Sequence, residues 1–194
     1  MKRFSLLTFL CFAMIISAYG NKQVKRIISE TPVKSEILGL KLCSQTTSEQ
    51  IETALSKSTE KIFFTYEEKW GIETMVRAVP YSLNFIFGGL NWNYIDIHLD
   101  QNSRIYLIQF VASFESLDKA IDLFNQAKTI YTNHYGKGNE NDEQNIFWTD
   151  DINFIRLFYK DSATISGDDR SFCVLYYVNI ELANAAEKAN QPDI

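Results

Sequence analysis

Tyr94-Ile95-Asp96-Ile97-His98-Leu99, followed by Asp100-Gln101-Asn102-Ser103 and then Ile105-Tyr106-Leu107-Ile108-Gln109-Phe110, is the stretch that decides the fold. Side chains along a strand point alternately to opposite faces. Ile95, Ile97 and Leu99 therefore share one face, and Tyr94, Asp96 and His98 share the other. Four turn-forming residues then send the chain back on itself, which predicts an antiparallel hairpin. Residues 105–110 are apolar on both faces, so the sequence leaves the pairing register open.

Working outward toward the C-terminus, Ser116 caps a helix in which Leu117, Ala120, Ile121, Phe124, Ala127, Lys128, Tyr131 and Tyr135 recur at helical spacing. It is expected to pack on the sheet through Leu117, Ile121, Phe124 and Tyr131, and Gly136 is a natural stop. Residues 137–145 read as a polar loop. Ile146-Phe147-Trp148 reads as a strand. Phe154 to Tyr159 and Phe172 to Val178 read as a second hairpin, joined through Ser166-Gly167-Asp168-Asp169. Asn179 can cap a closing helix that carries Leu182, Ala183 and Ala186.

Toward the N-terminus lie three strand-like runs: Leu83 to Phe87, stopped by Gly88-Gly89; Glu73 to Val79, stopped by Pro80; and Ile62 to Tyr66. Before them, Thr47 and Gln50 form a capping box for a short helix with Ile51, Ala54 and Leu55 on one face. Segregated runs of helices and hairpins predict an α+β fold, an antiparallel sheet built of hairpins with helices packed on one face. No internal repeat or low-complexity tract is visible.

Met1-Lys2-Arg3, an apolar core over Phe4 to Ile16, and Ala18-Tyr19-Gly20 have the pattern of a secretory signal peptide cut before Asn21. The apolar core is shorter than the roughly 20 residues that a membrane anchor needs. The expected organisation is a signal peptide over 1–20, a flexible linker over 21–35 and a single domain over 36–190. Export to the periplasm or the extracellular space follows, with no membrane span once the signal is removed. Without Lys2 and Arg3, 17 basic residues face 24 acidic ones, a net charge of about −7. Such a surface repels phosphate backbones, so nucleic acid is not an expected partner. Cys43 and Cys173 are the cysteines left after cleavage, and the sequence leaves open whether they form a disulfide.

Leu38-Gly39-Leu40 ahead of a short capped helix, Phe87-Gly88-Gly89 leading into a hairpin, and a helix ending Tyr135-Gly136 before Trp148 and two closing strands together carry a resemblance. Over residues 36–180 the chain resembles the small secreted α+β domains of gut Bacteroidetes, which are similar in layout to the β-lactamase-inhibitor-protein fold. The resemblance implies a protein that acts by binding other proteins, with helices on one sheet face and the other face free.

The chemistry-bearing residues form no catalytic pattern. A zinc site needs three or four ligands, and the two histidines, His98 and His134, lie far apart in sequence; surface or partly buried roles are expected for both. No Gly-x-Ser-x-Gly nucleophile motif occurs. Glu67-Glu68, Asp150-Asp151 and Asp168-Asp169 read as solvated turns or opposite strand faces. The 138–143 loop has the composition of a calcium loop but not its order. No cofactor and no metal are expected. Trp92, Tyr94, Tyr106, Trp148, Tyr159 and Tyr177 are candidates for an exposed aromatic sheet face. The sequence favours an exported, non-enzymatic, inhibitor-like module that binds an unidentified protein partner, with Tyr94, Asp96 and His98 as the candidate binding residues. The alternatives are a small secreted hydrolase whose site is assembled only in space, or a carrier of a lipid or small molecule.

Overall fold

The computed structural model describes residues 27–57, 61–69, 72–81, 84–161 and 170–190. The hairpin of Tyr94–Leu99 (β7) and Ile105–Phe114 (β8) lies at the middle of an eight-stranded sheet in which every neighbouring pair is antiparallel. Its register, open in the sequence, pairs Tyr94 with Val111 and Ile97 with Ile108. The turn fixes it. Asp100 Oδ1 accepts from the backbone N–H groups of Asn102 and Arg104, both at 2.9 Å, and the Arg104 guanidinium closes on Oδ2 at 2.7 Å. Ser103 takes the left-handed conformation that the tight return requires, with φ of 57°.

The other strands are Glu36–Ile37 (β1), Leu40–Lys41 (β2), Ile62–Lys69 (β3), Ile72–Pro80 (β4), Phe85–Phe87 (β5), Leu90–Trp92 (β6), Asn139–Asp142 (β9), Asn145–Thr149 (β10), Asn153–Lys160 (β11) and Ser171–Asn179 (β12). The helices are Ser48–Ser56 (α1), Leu117–Tyr135 (α2) and Ile180–Asn190 (α3). The large sheet runs β3-β4-β7-β8-β12-β11-β10-β9. This order is a duplication. One half is α1 followed by the four strands β3, β4, β7 and β8; the other is α2 followed by β9, β10, β11 and β12. The last strand of each half meets its counterpart at the centre, from Ser171 opposite Phe114 to Val178 opposite Leu107. The amino-acid sequence shows no repeat, yet the order of elements repeats.

Two hydrophobic clusters lie on the two sheet faces. The larger takes Val76, Ile95, Ile97, Ile108, Phe110, Ile155, Leu157, Leu175 and Tyr177 from the strands, with Ile51 and Leu55 of α1 and Phe124, Ala127 and Tyr131 of α2 above them. The β5–β6 hairpin also folds onto this face. It turns through Gly88 and Gly89, both at positive φ, and stacks Phe87 on Phe110 with ring centroids 4.4 Å apart. The smaller cluster, on the opposite face, joins Leu107, Val111, Phe154, Phe158, Val174, Tyr176 and Val178 to Ala183 of α3. The expectation of helices on one face is therefore corrected. β12 is buried along its whole length, and a central strand apolar on both sides needs cover on both.

The face of α2 is rotated from the one expected. Ala120, Leu123, Phe124, Ala127, Tyr131 and Tyr135 are buried, whereas Leu117 and Ile121 are only half-buried. Residues 137–145, expected as a loop, contain β9. It went unseen because Asn139-Glu140-Asn141-Asp142 is polar throughout, as suits a short edge strand. The linker expectation also changes. Residues 27–33 cross the C-terminal half as an ordered strap: Ile27 exchanges two 2.8 Å hydrogen bonds with the Asn139 side chain, Ser29 N–H donates to Thr149 O, and Val33 N–H donates to Asp150 Oδ2. The expected leader over 1–20 and the turn Ser166–Asp169 lie outside the described residues.

Candidate functional site

Tyr94, Asp96 and His98 do share one face, as alternation along β7 dictates, and it is the face opposite α1 and α2. They are not presented as a free surface. Asp96 and His98 retain only 2% and 5% of their exposure, and Tyr94 is half-buried. The reason is a residue that sequence reasoning passed over. Arg77 is the one charge in the run Met75-Val76-Arg77-Ala78-Val79, and it lies directly opposite Asp96 on β4. Its Nε and Nη2 donate to the two carboxylate oxygens at 2.7 and 2.8 Å, a two-point pairing that fixes both groups. The guanidinium also stacks 4.5 Å from the centre of the Tyr94 ring. A lone arginine in an apolar strand was the signal available, since a charge in a half-buried strand requires a partner.

His98 sits beside this pair, between Met75 and Leu107 on the flanking strands and with the Tyr106 ring 6.0 Å away. Its Nε2 and the Oε1 of Gln109 are buried and meet no well-aligned hydrogen-bond partner among the described residues, although Gln109 stands close enough to favour the protonated imidazole. Burial is the main influence and holds the imidazole well below its usual value, at about 4; Asp96 pulls in the other direction and Arg77 reinforces burial. Burial opposes the charge on Arg77, but the hydrogen bond to Asp96 and the negative charge beside it together outweigh burial and keep the guanidinium firmly protonated. At neutral pH the cluster is thus an ion pair beside a neutral imidazole. Its charges are spent on each other, so it holds a structural pair rather than a poised acid and base.

The remaining candidates are dispersed. His134 is exposed near the end of α2, far along the chain from His98. Cys43 is exposed, Cys173 is buried, and both are free thiols. Burial raises the Cys173 thiol far above its usual value, which suits a small core residue rather than a nucleophile. Among the described residues, no group of three or more His, Cys, Asp or Glu is placed to hold a metal ion. An open depression of about 470 Å³ between α1 and β2 is lined by polar side chains such as Lys41, Gln50 and Lys57, and none of the buried unpartnered polar groups lines it.

The aromatic candidates divide. Trp92, Trp148 and Tyr177 are core residues, with Trp92 Nε1 donating to Phe87 O, Trp148 Nε1 donating to Gly136 O, and the Tyr177 hydroxyl 2.6 Å from that of Tyr131. Tyr94, Tyr106 and Tyr159 are half-buried. Among the described residues the exposed aromatics lie elsewhere, on and beside the edge strand β3. Phe63 is 57% exposed, Tyr66 42% and Tyr81, which follows β4, 76%. Phe63 and Tyr81 are on the same face of the β3–β4 ladder, because Phe63 pairs with Val79 and Lys61 O accepts from Tyr81 N–H. Sequence reasoning recognised β3 as a strand but had no means of placing it at an edge.

Compared with known proteins, the chain matches no family model, no curated protein and no solved structure. The described residues include no helix long and apolar enough to cross a membrane.

Proposed function

We propose that the chain is exported and works as a non-enzymatic, inhibitor-like module that binds protein, and that its binding surface is the β3 edge rather than the Tyr94-Asp96-His98 face. The observation that carries this reading is the edge itself. Among the described residues no strand lies beyond the eight of β3 on one side, and Phe63 stands exposed along them, with Tyr66 exposed and its hydroxyl bonded to Glu52. An open strand edge is a template for pairing with another chain, and aromatic side chains are enriched where binding energy concentrates. The self-contained Arg77–Asp96 pair and the shallow depression beside α1 support binding over chemistry. Two helices on one sheet face support the resemblance to the β-lactamase-inhibitor-protein layout, from which α3 departs.

The test is capture of partners from periplasmic and outer-membrane extracts by the exported chain, followed by crosslinking and identification. Phe63→Lys and Tyr81→Lys each place a charge on the exposed aromatic patch and should abolish capture. Ile152→Lys, at an exposed position in the other half, should leave it intact. Capture that survives both edge variants would remove β3 from the reading.

A further inference from the structure

We propose that residues 27–33 form a releasable strap that docks and opens as one unit with the last turn of α2, which makes this N-terminal segment a conformational handle on the C-terminal half. The device is independent of the β3 edge.

The helix itself creates the need for the strap. The last four carbonyls of a helix have no partner inside it, and in α2 these belong to Thr132, Asn133, His134 and Tyr135. Thr132 O takes the N–H of Gly136 at 2.9 Å. Gly136 has a positive φ of 80° but a ψ of −165°, outside the left-handed helical region that closes a helix end from within. The strap supplies donors instead. From 103 residues upstream, the Thr31 hydroxyl donates to His134 O at 2.9 Å. Glu30 N–H donates to Tyr135 O at 3.0 Å, and the backbone of Lys34, next along, hydrogen-bonds the Tyr135 hydroxyl. The close approach depends on Gly136 having no side chain, since a Cβ there would lie 2.6 Å from the Glu30 side chain.

Elsewhere the strap is held by its backbone and is barely packed. Ile27 N–H and C=O both bond to the Asn139 side chain at 2.8 Å, Ser29 N–H donates to Thr149 O at 2.8 Å, and Val33 N–H donates to Asp150 Oδ2 at 2.8 Å. Val33 is the one buried residue of the seven, while Ile27 and Ile28 are 39% and 46% exposed. Ser29 Oγ is buried with no hydrogen-bond partner among the described residues, a cost that docking carries. A segment held by a few backbone bonds and one buried side chain opens at a free energy well below that of global unfolding. β12, buried along its whole length, opens only with the domain.

The consequence falls on α2. When the strap lifts, His134 O and Tyr135 O lose their donors. That end of the helix keeps the Gly136–Thr132 bond and the Trp148 Nε1 bond to Gly136 O. The last turn then frays, and with it goes the buried Tyr135 ring. That ring stacks on Tyr131, whose hydroxyl meets the hydroxyl of Tyr177 on β12 at 2.6 Å. Anything that draws residues 27–33 from their seat therefore loosens a chain of contacts that ends in the centre of the sheet.

Native-state hydrogen exchange on the intact chain, followed through low concentrations of denaturant, tests this. The N–H groups of Ser29, Glu30, Val33 and Gly136 should share one opening equilibrium, about 100-fold or more above that of the β12 amides and only weakly dependent on denaturant. Thr31→Val keeps the shape of the side chain and removes its hydroxyl. It should quicken exchange at all four amides by about fivefold, the equivalent of one net hydrogen bond. Ser29→Ala removes the unpartnered hydroxyl and should slow all four by a similar factor. The Ile51 amide, which bonds to Thr47 O at the start of α1, should respond to neither. Strap amides that open while Gly136 stays protected with β12, a strap that exchanges only with β12, or a Thr31→Val effect that reaches Glu30 but not Gly136 would each overturn the proposal. So would a Ser29→Ala variant whose four amides exchange faster than the parent's.

Discussion

The two halves of this protein follow one plan and spend their residues differently. In the C-terminal half a 19-residue helix covers the strands with six buried side chains, and the strap at 27–33 secures the outer edge. In the N-terminal half a nine-residue helix contributes two buried side chains, Ile51 and Leu55, and among the described residues no strand lies beyond the outer edge. The N-terminal half also holds the buried Arg77–Asp96–His98 cluster, whereas the helix side of the C-terminal half closes on aromatic rings and paired tyrosine hydroxyls. The lesson is a difference in cover: both halves line the core, but the C-terminal half closes it with a long helix and a secured edge, whereas the N-terminal half has a short helix and carries the titratable interior.

The largest expected effect tests where the core is. Phe124 on α2 is buried against the Tyr159 ring at 5.1 Å and stands over β11 and β12. Removing a buried phenyl ring costs about 3–5 kcal/mol. Phe124→Ala should lose that much in urea denaturation, while Asp122→Ala, exposed on the same helix, should stay within about 0.5 kcal/mol. Equal losses would show that α2 does not carry the core of its half.

Next in size is a pH effect that belongs to the N-terminal half. An unfolded histidine titrates near 6.5, whereas buried His98 titrates at about 4. Between those values the unfolded chain binds a proton that the folded chain excludes. Stability should therefore be full above pH 6.5 and fall as pH drops toward 4, by about 3 kcal/mol in all. His98→Gln removes the titrating group, so its stability should be flatter across that window. A variant that tracks the parent down to pH 4 would place the acid sensitivity elsewhere.

Much of this division was legible in the sequence, and the illegible parts have a common cause. The alternation at 95–99, the cap at Thr47, the span of α2 and the closing strands could all be read, because each is set by residues a few positions apart. The duplicated plan could not: its halves share an order of elements but no residue pattern. Nor could β9, whose polar residues give a strand no hydrophobic signature, or the seating of α3, since Phe172 to Val178 is apolar on both sides and says only that both are covered. The candidate site illustrates the same limit. Alternation correctly grouped Tyr94, Asp96 and His98. Their burial depends on Arg77, 19 residues upstream of Asp96, and the openness of β3 depends on which strand ends the sheet. Both are facts of long-range pairing.

The smallest effect sharpens the comparison at the two helix starts. Thr47 caps α1 with a full capping box: its Oγ1 accepts from Gln50 N–H at 3.3 Å, and Gln50 Oε1 accepts from Thr47 N–H at 3.0 Å. Ser116 caps α2 through a single contact to Lys119 N–H at 3.4 Å. Losing a cap typically costs about 1 kcal/mol, and reciprocal bonds satisfy two orphan donors where a single bond satisfies one. A nine-residue helix held by two buried side chains also has little packing to keep its first turn in place once the cap is gone. Thr47→Ala should thus cost about 1 kcal/mol, with hydrogen exchange quickening at Gln50 and Ile51, whereas Ser116→Ala should cost about 0.5 kcal/mol, the low end for a lost cap. Should Ser116→Ala prove the more damaging, α2 would depend on its cap more than on its buried face. The contrast between a packed half and a capped half would then have to be redrawn.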